Sequence, residues 1–328
     1  MSVPNIPSMS VVIATPDNFE VIRHTISCLA RQTVRRLLEI VIVAPSRVQL
    51  KLNETSLPDP LTGFAQVQIV EVGTIRSIGR ANAAGIRHAT APVIALAEDH
   101  CFPDPQWAEN LIKAHRGPWA AVGPAVRNAN PKSAVSWADL FIGYGPWLSP
   151  TIGREADFLP GHNTSYKRAH LLAYGKELES MMEAETLLHW DLRKNGHRLF
   201  IDPSVQVAHL NFSLWRSWLP VQFYNGRLFA GARVRKITQW KRALFIAGSP
   251  VIPGLRLWRI WRDLQGGEQR RRFLFCAHAL IIGLILDGVG QMVGYAAGVG
   301  RAVDQVARFE FHRLRHIRNE DRRDLSLT

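Results

Sequence analysis

A chain of 328 residues with 47% hydrophobic and 20% charged side chains can bury a substantial core, which excludes both a minimal module and a disordered tail. Its formal net charge of +13 calls for a polyanionic partner, be it nucleic acid, an anionic membrane surface or a phosphorylated substrate. The three cysteines, Cys28, Cys101 and Cys276, are odd in number and make no C-x-x-C pair, so they read as reduced thiols and speak against a disulfide framework or a zinc ribbon.

The first residues, MSVPNIPSMS, lack a basic stretch followed by an apolar one, so no secretion signal is expected and the chain is expected to stay inside the cell. SVVIAT, residues 10–15, is apolar and β-branched and reads as a strand buried on both faces. From Asn18 to about Val34 the apolar residues Val21, Ile22, Ile26 and Leu29 recur at helical spacing, and LEIVIVAP at 38–45 is a second buried strand. VQIVEV at 67–72, a small-residue helix over SIGRANAAGIRHA, and PVIALAED at 92–99 repeat the alternation, with AVGPAV at 121–126 as a further strand. The pattern predicts an α/β fold with a mostly parallel sheet and helices on both faces. Ligands of such sheets bind outside the carboxyl ends of the strands, which puts Thr15 to Asp17, Ala44 to Ser46 and Glu98 to His100 along one edge.

The turn after the first strand, ATPDNF, has no glycine, and no G-x-x-x-x-G-K-[ST] occurs, so neither a dinucleotide fingerprint nor a P-loop is available. If a nucleotide binds here, its phosphates need another neutraliser, for which a divalent cation held by carboxylates is the obvious choice. Beyond residue 210 the character changes. RLWRIWRD sets Arg256, Arg259 and Arg262 at helical spacing beside Trp258 and Trp261, which suits a membrane surface, although a solvated basic face with tryptophans turned inward is the plainer alternative. The segment 273–300 is long enough to span a bilayer, but Asp287, Gln291 and its glycines dilute it, so an interfacial or re-entrant hairpin is expected. Gly290, Gly294 and Gly298 would let two helices approach closely. Two domains result, a catalytic one over 1–212 and a helical, basic and aromatic, membrane-associating one over 213–328.

In order along residues 8–230, SVVIATPDN, EIVIVAPS, ALAEDHCFPDPQW, GHNTSYKR and EAETLLHWDLRKNGHR resemble the family 2 inverting glycosyltransferases of the glycosyltransferase-A fold. The resemblance implies a nucleotide-sugar donor and Mg²⁺ or Mn²⁺ bound at an Asp-rich signature, whose place is taken here by Glu98, Asp99 and His100. Asp99 and His100 would ligate the metal, with His209 as a further donor, while Glu98 would face the nucleotide. The histidine is a departure from an all-acidic signature, though imidazole is acceptable to Mn²⁺. An acidic pair about a dozen residues before a glycine supplies the base in this family, and counting back from Gly196 selects Glu185, with Glu183 in reserve. Gly161, His162 and Asn163 would line the donor sugar or acceptor. Ala44 and Pro45 stand where many relatives carry acidic residues that meet the nucleoside, so its recognition would pass to Thr15, Asp17 or Ser46, with Arg76 and Arg80 reaching phosphates. Each of these also has a plain structural alternative as a helix cap or a surface charge.

The leading reading is therefore a metal-dependent inverting transferase acting on a lipid-linked, lipid or glycan acceptor at the cytoplasmic face of the membrane. A homo-oligomer is compatible with it. The alternative is a membrane-associated binding or scaffold protein of the same fold with a decayed site. No nucleic-acid recognition element is present, so no nucleic-acid partner is expected.

Overall fold

Nearly every side chain of the first two strands is β-branched or otherwise apolar, and all of them are buried, so both strands must lie inside a sheet covered on both faces. The computed structural model describes residues 6–52, 59–161, 163–234 and 237–325. Its chain divides into two units, Met1–Arg127 with Ser149–Ala208, and Asn128–Leu148 with His209–Thr328. The segment 128–148, taken from sequence as part of the first domain, thus belongs with the second.

The first unit carries β1 (Met9–Ala14), β2 (Leu38–Ala44), β3 (Gln66–Glu71), β4 (Val93–Ala97), β5 (Cys101–Pro103), β6 (Trp119–Asn128), β7 (Arg154–Glu155), β8 (Ser165–Lys167) and β9 (Arg198–His209). Among the described residues they form one sheet in the order β3-β2-β1-β4-β8-β6-β9-β5, with β7 on β9. The strands β1 to β4 are parallel. Crossover helices at Phe19–Ala30 and Ile78–His88 make that possible. β8 enters antiparallel between β4 and β6, so the expected mostly parallel sheet is in fact mixed beyond its fourth strand. The reversal puts the start of β8 beside the carboxyl end of β4, and this brings the 160–164 loop to the ligand edge.

The small residues of helix Ile78–His88 have a packing reason. A Cβ on Gly85 would lie 2.4 Å from Val12 Cγ1 and 2.9 Å from Val43 Cγ2, so only glycine lets this helix rest on β1 and β2. Glu39, fully buried in β2, accepts hydrogen bonds from Ser10, from Gln68 and from the Thr90 amide and hydroxyl. Those partners satisfy the carboxylate at the amino end of the strands, away from the ligand edge.

The second unit is helical. Helix Gly267–Ala297 runs unbroken for 31 residues, so the expected hairpin over 273–300 does not form. Gly290 and Gly294 do let two helices approach closely, as the sequence spacing implied, while Gly298 serves as the cap. A Cβ on Gly290 would sit 2.1 Å from the Phe223 carbonyl, one on Gly294 2.5 Å from that of Arg227, and one on Gly226 2.1 Å from that of Asp287, so this helix and Trp215–Arg233 pack backbone against backbone. Gly298 caps the helix at φ 74°. Asp287 is buried but paired, accepting from Arg256 Nη1 at 2.6 Å and Gln291 Nε2 at 2.8 Å. Among the described residues this is the one helix long and apolar enough to cross a membrane, and half of its apolar stretch is buried in the fold.

Candidate active site

Each loop at the carboxyl edge of the parallel strands is fixed by its own short-range chemistry. After β1, the buried Thr15 donates its amide to the Val43 carbonyl at 2.9 Å, and its hydroxyl accepts from the Asp17 amide at 3.2 Å. Asn18 then caps helix Phe19–Ala30 through the Glu20 amide at 3.1 Å. After β2, the Ser46 hydroxyl caps the short helix Arg47–Leu50, accepting from the Gln49 amide at 3.1 Å. Gln49 reaches back to the Pro16 carbonyl at 2.7 Å and ties the two loops together. Thr15, Asp17 and Ser46 therefore all stand at the edge where the sequence put them, with the Ser46 oxygen already engaged as a cap.

The acidic cluster follows β4. Thr25 holds the Glu98 carbonyl at 3.0 Å, which fixes the turn. Asp99 Oδ1 accepts from His100 Nδ1 at 2.5 Å, so the other ring nitrogen, Nε2, faces Glu98 Oε1 at 3.6 Å. Asp99 and His100 are buried. Two donors to one small divalent ion, each at about 2.1 Å, stand roughly 3 to 4 Å apart, so the Glu98 oxygen and the His100 nitrogen fit such an ion, and Asp99 fits as the carboxylate that orients the imidazole. The sequence had placed Glu98 on the nucleotide and Asp99 on the metal.

The loop before β8 touches both halves of the chemistry. Asn163 adopts φ 65°, a left-handed conformation that asparagine tolerates better than most residues, and its amide donates to Glu98 Oε2 at 2.9 Å. Two residues earlier, Gly161 lies against Glu185: a Cβ there would be 2.9 Å from Oε2 and 3.1 Å from Cδ. Two residues of extended chain span at most about 7 Å, so one short loop sets the buried Glu185 carboxylate beside the acidic cluster. His162, between them, lies outside the described residues.

Glu185 opens helix Glu185–Lys194, where the amide dipoles of the first turn favour a carboxylate. Glu183 is committed elsewhere. Its Oε2 accepts from the Ser77 hydroxyl at 2.5 Å and the Gly79 amide at 3.1 Å, and so it caps helix Ile78–His88 from outside. Glu183 thus serves a helix terminus, while the Glu185 carboxylate lies against Gly161.

The remaining sequence candidates divide. Arg80 is exposed and pairs with Glu179 at 3.5 Å, an acid that also binds Arg87 at 3.1 Å, so its charge is used on the helix surface. Arg76 is exposed in the loop before that helix. His209 ends β9 and belongs to the second unit, where its Nδ1 donates to Asn211 Oδ1 at 2.8 Å and its ring packs on Tyr144. That hydrogen bond selects the tautomer whose Nε2 can ligate a metal.

Two residues escaped sequence reasoning. Tyr166 in β8 and His189 in helix Glu185–Lys194 are both fully buried, and the Tyr166 hydroxyl meets His189 Nε2 at 2.8 Å. Burial holds His189 down to about 3, so it is neutral. Burial first, and the charge of Glu185 second, push the Tyr166 phenol well above the usual tyrosine range. Only the spacing of Glu185 and His189, one helical turn apart, was a signal that sequence could have offered.

The family model described as Glycosyl transferase family 2 matches residues 10–178. No curated protein matches the chain. Similar solved structures include GalNAc-T7 with UDP, GalNAc and Mn²⁺, at 14% identity and a TM-score of 0.46, covering 62% of this chain and 43% of that one. This chain thus spans less than half of that protein's length. They also include TarS 1-349 of S. aureus in complex with UDP, at 13% identity, TM-score 0.44 and coverage of 88% and 91%. A third is the mannosyltransferase PcManGT from Pyrobaculum calidifontis in complex with GDP-Man and Mn²⁺, at 15% identity, TM-score 0.42 and coverage of 99% and 86%.

Proposed function

The chain belongs to glycosyl transferase family 2, and on that premise we propose that it moves a sugar, with inversion and with a divalent metal, from a nucleotide-sugar donor to a lipid-linked, lipid or glycan acceptor at the cytoplasmic membrane face. The single observation that carries this reading is the loop that touches Glu98 through Asn163 and Glu185 through Gly161. A donor diphosphate and a base must lie within one sugar's width of each other, and this loop supports that spacing.

In the reaction, Glu185 takes the proton of the acceptor hydroxyl as its oxygen attacks the anomeric carbon and the bond from that carbon to the diphosphate breaks. One base on the face opposite the leaving group suffices for inversion. Glu98 and His100 would hold Mg²⁺ or Mn²⁺, with Asp99 orienting the imidazole and His209 as the further donor proposed from sequence. The ion, when bound, would neutralise charge building on the departing diphosphate. Thr15, Asp17 and Ser46 line the same edge and are the groups proposed to meet the nucleoside. Glu185 is buried, with its carboxylate packed against Gly161.

The membrane part of the proposal rests on the second unit. Trp240, Trp258 and Trp261 are exposed, and Arg262 and Arg270 lie over the rings of Trp258 and Trp261 at 5.0 and 5.7 Å. Paired indoles and guanidinium groups suit an interface of acyl chains and anionic headgroups. Leu274, Phe275, Ile281, Ile282, Ile285 and Val289 are exposed along helix Gly267–Ala297 and extend the apolar surface.

The test offers the purified protein a panel of nucleotide sugars with Mn²⁺, Mg²⁺ or chelator, with bacterial lipid extract as acceptor, and reads the anomeric configuration of the product by NMR. One donor consumed only with metal and an inverted product is the expected result. Retained configuration or indifference to chelator would overturn the mechanism, and no turnover of any donor would favour the scaffold reading.

A further inference from the structure

Asn128, Asn130 and Asn211 have no part in the chemistry described so far, yet their amides are spent around one ring. His209, Asn211 and Asn130 are all buried. One end of the Asn211 side-chain amide faces the His209 carbonyl oxygen at 3.0 Å and Asn128 Oδ1 at 3.0 Å. A carbonyl oxygen can only accept, so that end is the NH₂ group and the opposite end is the oxygen. The oxygen stands 2.8 Å from His209 Nδ1, so Nδ1 carries the proton and Nε2 of the neutral ring keeps its lone pair. Asn128 is itself fixed the same way round, because its Oδ1 also accepts from the Asn130 backbone amide at 3.0 Å. Asn130 then clamps the backbone of Asn211 at two points. Its Oδ1 accepts from the Asn211 amide at 2.9 Å, and its Nδ2 donates to the Asn211 carbonyl at 2.9 Å. Every link from Asn130 to the imidazole is thus a direct hydrogen bond.

We infer that Asn211, held by Asn128 and Asn130, is a positioning residue that keeps the His209 ring in one orientation and one tautomer for a divalent metal. The inference rests on the reading of His209 as a metal donor. A ring turned by half a revolution would put a C–H where Nδ1–H now meets the Asn211 oxygen. That would leave a buried acceptor unmet, so the rotation is opposed. The Tyr144 ring, its centroid 4.6 Å from that of the imidazole, limits tilting as well. Asparagine meets all three partners at once, offering an acceptor to the ring and donors to Asn128 and the His209 carbonyl. Aspartate would keep the acceptor and give up both donors, and leucine would keep neither. Removing the group that holds the second nitrogen of a metal-binding histidine costs about 10- to 100-fold in metal affinity.

The test is a two-bond ¹H–¹⁵N NMR spectrum of the metal-free full chain at about pH 8, above the ordinary imidazole range, with the His209 signals assigned by their loss in His209→Gln. Beside it, binding of Mn²⁺ in the presence of UDP or GDP is read by EPR of the free ion. The expected wild-type spectrum shows His209 in the Nδ1–H form alone. Asn211→Asp is expected to keep that form and most of the Mn²⁺ affinity, whereas Asn211→Leu turns the ring toward the Nε2–H form and weakens Mn²⁺ binding about 10- to 100-fold. A wild-type ring in the Nε2–H form overturns the inference without any variant, so it stays testable even if Asn211→Leu does not fold. An Asn211→Leu protein that keeps either the Nδ1–H form or the wild-type Mn²⁺ affinity overturns it too. If His209→Gln binds Mn²⁺ as tightly as wild type, the reading of His209 as a metal donor fails and takes the inference with it. The Nδ1–H signal, still present in wild type, tells that outcome from the others.

Discussion

At Gly161 one methyl group separates a working site from a displaced one. The Cβ of Gly161→Ala would stand 2.9 Å from Glu185 Oε2, closer than real Cβ contacts come, so the carboxylate must move. A shift of a base by about 1 Å costs on the order of 100-fold in rate, so Gly161→Ala is expected to lower kcat by 10- to 100-fold while nucleotide binding holds, as steady-state kinetics and calorimetry would report. The two glutamates next door should separate cleanly. Glu183→Ala removes the acceptor for Ser77 and the Gly79 amide, so it is expected to cost about 1 to 2 kcal/mol of stability in urea unfolding and to spare kcat in the folded fraction. Glu185→Gln should do the opposite. The sequence singled out Gly161 as lining the donor sugar or acceptor, since a glycine in a polar run has few other reasons to be there. The Glu185 side chain lies against it, and the partners that occupy Glu183 lie more than a hundred residues away, beyond what local spacing can reveal.

Among elements, the parallel half of the sheet was readable because period and length agree: short β-branched runs, each followed by helical spacing, leave little choice of topology. The antiparallel entry of β8 was not, since SYK is too short to declare a direction and its orientation follows from pairing with β4 and β6. The long apolar helix shows the opposite failure. The close approach at Gly290 and Gly294 was legible, but Asp287 and the glycines also diluted the run enough to suggest a hairpin, and what keeps the helix whole lies on other helices: the Phe223 and Arg227 carbonyls, and Arg256. Gly290→Leu is therefore expected to separate helix Gly267–Ala297 from Trp215–Arg233 and to lower the thermal midpoint by several degrees, whereas a substitution at the exposed Ile285 should not, as calorimetry of both variants would show.

On the scale of the whole molecule, net charge and buried histidines set the response to conditions. In the first unit, burial lowers His115 to about 4 and His189 to about 3, both below the ordinary value of 6.5. The unfolded chain thus binds protons that the folded one refuses. The stability contributed is complete above about pH 6.5 and is lost as pH falls toward 3 to 4, at up to about 1.4 kcal/mol per pH unit for each histidine. Urea unfolding of wild type at pH 7 and pH 4.5 should show this loss, and His189→Gln should flatten part of the slope. The charge of +13 and the exposed Trp258 and Trp261 predict binding to anionic vesicles that weakens with salt and falls at least several-fold in a Trp258→Ala, Trp261→Ala variant. The sequence already put Glu98 to His100 at the strand edge and the tryptophans in the helical region; what needed three dimensions was the loop that joins Glu98 to the Glu185 side, and the exposure of the indoles.

The most direct test of the proposed division of labour measures metal-dependent nucleotide binding and sugar transfer side by side in Glu98→Ala and Glu185→Gln. Loss of both metal-dependent binding and transfer in Glu98→Ala, with binding kept and transfer lost in Glu185→Gln, is the predicted result. Nucleotide binding that ignores Glu98 and metal, or transfer that survives Glu185→Gln, would contradict it.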